Sequence, residues 1–73
     1  MKSKMLAYYQ QILQAVSFDK TLFEKELVKS VKSVVLYEEF LDLKQWCIRQ
    51  FSDSYSQIVE RVFNENERRF SAH

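Results

Sequence analysis

The sequence predicts an all-α protein, a small bundle of three to four antiparallel helices forming one domain over residues 1–73. Three observations carry that expectation. The chain contains no glycine and no proline, so hairpins on glycine turns and glycine-rich phosphate loops are excluded, and Ser, Asp and Asn must supply the chain breaks. Its apolar residues recur with the 3.6-residue period of a helix, and no segment alternates as a strand would. A chain of 73 residues buries only roughly 60% of its unfolded surface, so its helices must fold back on one another to make a core.

The first helix is expected over about 3–16. Met5, Leu6, Tyr8, Tyr9, Ile12, Leu13 and Val16 share one broad arc, with Gln10, Gln11 and Gln14 opposite; an arc this wide suits a helix touching two neighbours. The second, about 20–33, starts at Asp19, an N-cap, with Phe18 and Phe23 placed to close over it as a hydrophobic staple. It should bury Phe23, Leu27, Val28, Val31, Val34 and Val35, leave Leu22 at the margin, and show Lys25, Lys29 and Lys32 as an outer strip. A short turn near 33–36 is expected next, the alternative being one long helix from 20 to 51.

The third helix, about 36–51, opens with Glu38, Glu39 and Asp42 and carries Arg49 near its end, matching the helix dipole. "SDSYS" then reads as a capping turn. The fourth, about 55–70, groups Tyr55, Ile58, Val59, Val62, Phe63 and Phe70, with Asn66 inside the apolar arc and Arg61, Glu65 and Arg69 as an i, i+4 ladder. Neither internal sequence repeats nor linkers are visible.

The stretch "LKQWCIRQF" contains the single cysteine and the single tryptophan. A reactive thiol needs exposure, a nearby cation and a base, yet Cys47 falls beside Leu36, Phe40, Leu43 and Phe51 on the wheel, and the one histidine, His73, is the last residue. Cys47 therefore reads as core. Trp46 points to the polar side among Glu39, Asp42, Arg49 and Gln50, as an exposed interface anchor or a ring covered by a neighbouring helix. Lys44 is the converse, a charge among Tyr37, Phe40, Ile48 and Phe51 whose stem snorkels along the core edge. Glu38, Glu39 and Asp42 read as solvated charge, since carboxylate-bridged metal bundles also draw histidines from their helices. No catalytic, metal-binding or cofactor-binding set is expected.

A net charge of +1 lies well below the basic balance of a dedicated nucleic-acid binder, and one cysteine cannot form an internal disulfide. After Lys2 and Lys4 the apolar run Met5–Tyr9 is too short for a signal-peptide core, and no stretch approaches the roughly 18 apolar residues that span a bilayer. A soluble, cytoplasmic protein is expected. Eleven aromatic residues in 73 are a large apolar load for so small a domain, and self-association or a partner protein would complete their burial. The expected function is a non-enzymatic interaction or adaptor module, a homodimer, anchored by Trp46, Leu22, Tyr8, Tyr37 and Tyr55, with no membrane or small-molecule partner. The alternative is a small nucleic-acid-associated regulator using Lys25, Lys29 and Lys32 with Arg61, Arg68 and Arg69.

Overall fold

Asp19 begins the second helix as its side chain predicts: extended backbone (φ −136°, ψ 113°) aims the carboxylate at the free amides of Thr21 (2.9 Å) and Leu22 (3.2 Å), a cap worth about 1 kcal/mol. The computed structural model describes residues 4–51 and 53–71, which form α1 (Lys4–Ala15), α2 (Lys20–Ser33), α3 (Tyr37–Gln50), α4 (Asp53–Asn66) and a short α5 (Arg68–Ser71). Lys2, Ser3, Ser52 and His73 lie outside the described residues. No strand occurs among the described residues, so the all-α expectation holds.

The long-helix alternative fails at Val34–Leu36. Val34 and Leu36 are both extended (ψ 127° and 133°), a conformation that β-branched valines favour. Val34 is buried there as expected, but Val35 is 80% exposed and Leu36 58% exposed, against the expectation that Val35 would pack inward with the second helix and Leu36 beside Cys47 with the third. The staple also fails: Phe18 is 79% exposed, and Phe23 packs instead on the rings of Phe51 (4.7 Å) and Tyr55 (4.8 Å). Helix α4 starts two residues earlier than expected, at Asp53, and ends at Asn66, whose side-chain amide donates to the Val62 carbonyl (2.8 Å). A turn at Glu67 then lets Phe70 return to the core against Phe40 (4.8 Å).

Side-chain contacts between elements fix the helix directions. Tyr55 at the start of α4 meets Phe23 at the start of α2, and Arg69 just past α4 reaches the end of α2, so these two run the same way. Phe40 early in α3 meets Phe63 late in α4, and Phe51 past α3 stacks on Tyr55, so α3 runs opposite to both. Helix α1 begins beside the Val34–Leu36 break, antiparallel to α2. The principal packing partners are α2 with α4, α1 with α2, α3 with α4, and α1 with α3. The fold is thus two αα-hairpins laid side by side.

Each helix buries one apolar stripe at helical spacing. Leu6, Tyr9 and Leu13 are buried in α1, and Phe40, Leu43 and Cys47 at the same i, i+3, i+7 spacing in α3. Leu27, Ser30 and Val31 are buried in α2, and Val59, Val62 and Phe63 at i, i+3, i+4 in α4. Ser30 is the polar member, and its hydroxyl is satisfied by the Glu26 carbonyl (2.8 Å). Each hairpin contributes one apolar stripe per helix, and neither can bury both without the other.

Candidate functional site

Cys47 is fully buried, and desolvation pushes its thiol from an ordinary 9.0 up to about 12. The thiolate, the reactive form, is therefore a trace species at neutral pH. Native Cys47 is expected to resist iodoacetamide at pH 8 over a period in which the guanidinium-unfolded chain reacts completely; rapid native labelling would restore the thiol-enzyme reading. The same shift sets an alkaline limit. Folded protein holds the thiol proton where unfolded chain releases it, so the contribution is intact below pH 9 and lost as pH rises from 9 towards 12.

The expected anchors separate into two groups. Trp46 is half-buried against the core, edge-on to Phe51 at 5.5 Å, so it is not the free anchor that its polar wheel position suggested. Tyr55 is not a surface anchor either: its ring packs on Phe23 and Phe51, and its hydroxyl donates to the Ser17 carbonyl, tying α4 to the α1–α2 turn. Tyr37 keeps an exposed edge but stacks on Phe40 (5.9 Å) and donates to Glu67 (3.1 Å). That hydrogen bond first, then desolvation and the carboxylate's charge, raise the phenol's pKa. Tyr8, 56% exposed, and Leu22, at the exposed margin, remain available.

The basic residues divide similarly. Lys25, Lys29 and Lys32 are all exposed on α2, with Lys29 paired loosely to Glu26 (3.5 Å). The expected Arg61–Glu65–Arg69 ladder is replaced by longer-range bonds: Arg61 pairs with Glu24 of α2 (2.9 Å), and Arg69 donates to the carbonyls of Val31 (2.6 Å), Lys32 (3.0 Å) and Val34 (3.0 Å). Lys44 is half-buried, in keeping with a snorkelling stem. Gln10, expected on the polar side of α1, instead buries its Nε2 without a partner among the described residues.

The surface that wheel reasoning missed lies where α1 begins, α2 ends and α3 begins. A groove of about 330 Å³ is floored by Leu6, Tyr9 and Val34 and walled by Met5, Val35 and Leu36. It adjoins a second hollow of about 360 Å³, in which Leu36 and Leu41 stand among Glu38, Glu39 and Asp42. Leu36 and Glu39 line both. The signal was present in the sequence: two large apolar residues, Val35 and Leu36, fall inside the chain break, where no helical face directs them to the core.

The chemistry available there is apolar contact framed by negative charge. No group of three His, Cys, Asp or Glu side chains converges on a metal-sized site among the described residues. No helix among them is long and apolar enough to cross a membrane. Comparison with protein-family models, curated protein sequences and solved structures returns no match.

Proposed function

We propose that this chain is a non-enzymatic, self-associating protein-interaction module of the cytoplasm, docking through the groove at the α1–α2–α3 junction. The observation that carries the reading is the clustering of exposed Met5, Val35, Leu36 and Leu41 around two adjoining hollows. Exposed apolar side chains scattered singly need no explanation, but a contiguous patch with a polar rim is the anatomy of an interface. Full burial of a valine or leucine side chain is worth about 1.5–3 kcal/mol, so a partner covering Val35 and Leu36 gains several kcal/mol before association costs. A cytoplasmic location accords with a lone reduced cysteine in a chain without disulfides.

The nucleic-acid alternative draws less support. Of its six cations, Arg61 is held by Glu24 and Arg69 by backbone carbonyls, which leaves a short lysine strip and Arg68. A photo-crosslinking residue replacing Leu36 in living cells tests the interaction reading. It is expected to form protein adducts well above those from the same residue at exposed Gln57 on α4; equal yields at the two positions would overturn it.

A further inference from the structure

We infer that the docking partner is a second copy of this chain: the exposed Leu36 and Leu41 side chains of one molecule, with the acids around them, seat on the lysine-bearing outer face of α2 on another. This rests on the interaction reading above and names its partner. The receiving face is an open trough of about 490 Å³ lined by Thr21, Glu24, Lys25, Val28 and Lys29, with Lys32 one turn beyond Lys29 on the same exposed side. Val28 gives it an apolar lining, and lysines stand over that lining as Glu38, Glu39 and Asp42 stand around Leu36 and Leu41.

Charge complementarity selects the occupant. Within the described residues the trough's one acid, Glu24, is engaged by Arg61, and its Lys29 pairs with neighbouring Glu26, while Lys25, Lys32, Glu38, Glu39 and Asp42 enter no ion pair there. One fold therefore presents an unneutralised positive face on α2 and an unneutralised negative face on α3, each beside apolar side chains. A two-fold dimer through either face would set like charges together, which opposes association. Joining one face to the other avoids this: reciprocated about a two-fold axis the contact closes a dimer, and repeated head to tail it continues with concentration unless a ring closes.

Sedimentation equilibrium on the full chain tests the inference with two charge-reversed proteins, Lys25→Glu/Lys32→Glu and Glu38→Lys/Asp42→Lys, all at exposed positions and checked for folding by circular dichroism. Wild type is expected to gain mass with concentration at low salt and to return towards monomer as salt screens the contact. Each reversed protein alone should remain monomeric, and their equimolar mixture should associate again, because each supplies the face complementary to the other's. Reversed proteins that associate like wild type, a mixture that stays monomeric, or a wild type that is monomeric at about millimolar concentration would each overturn the inference. The crosslink from residue 36 keeps the two readings apart. Adducts mapping to α2 of another copy support the inference, adducts to a different protein overturn it together with self-association while the reading as an interaction module stands, and absence of protein adducts removes both.

Discussion

Phe40→Ala is expected to lower stability by about 3–5 kcal/mol, the usual cost of truncating a buried phenylalanine, and to leave the protein partly unfolded in water. Phe40 is fully buried and joins three elements: its ring lies 5.1 Å from Phe63 of α4, 4.8 Å from Phe70 of α5 and 5.9 Å from Tyr37 one turn earlier on α3. Truncation removes three ring contacts together, and the cavity opens where α3, α4 and α5 meet. A domain of this length has roughly 4–11 kcal/mol in total, so the loss is about a quarter of it at least. Urea unfolding followed by circular dichroism is the measurement. Leu41→Ala, at the exposed rim of the same helix, should change the midpoint little, whereas a Phe40→Ala midpoint equal to wild type would contradict the packing described here.

The contrast between Phe40 and Leu36 shows where the sequence was legible. Residues deep inside a helix obey its period, and the inward positions of Phe40, Leu43 and Cys47 followed from spacing alone. Leu36 sits four residues before Phe40, where the same period would bury it, but its backbone is extended (φ −91°, ψ 133°) and its side chain leaves the helical face. Helical wheels assume a helix, and the exposed apolar groove formed where that assumption ends. Trp46 and Tyr55 are more covered than expected for a different reason. A wheel describes one helix, while the half-burial of Trp46 and the Tyr55 bond to the Ser17 carbonyl depend on how the chain packs together.

Charge assignments failed most instructively at Arg69, where the second large effect is expected. A helix leaves its last four carbonyls without intrahelical partners, and the common remedy is a glycine in the left-handed conformation just past the end. This chain has no glycine, and no described residue takes a positive φ. Helix α2 ends instead in extended Val34, and the Arg69 guanidinium, delivered by α5, donates to the carbonyls of Val31, Lys32 and Val34. The positive charge also suits the negative end of the helix dipole. Hydrogen bonds to a charged group contribute about 1.5–3 kcal/mol each; because Arg69 is exposed and water competes for it, Arg69→Ala is expected to cost about 2 kcal/mol in total. For a domain of this size that lowers Tm by roughly 8–16 °C. Arg69→Lys should recover less than half of the loss, since one ammonium cannot reproduce the planar fork that spans three carbonyls. Faster amide exchange at the end of α2, with the middle of α1 unchanged, would place the damage at the cap. Arg69→Lys melting with wild type would show that charge alone suffices. Because the capped carbonyls border Val35 and Leu36, loosening them also frees the backbone that holds the groove open, so Arg69→Ala should reduce the residue-36 crosslink at temperatures where the protein is still folded.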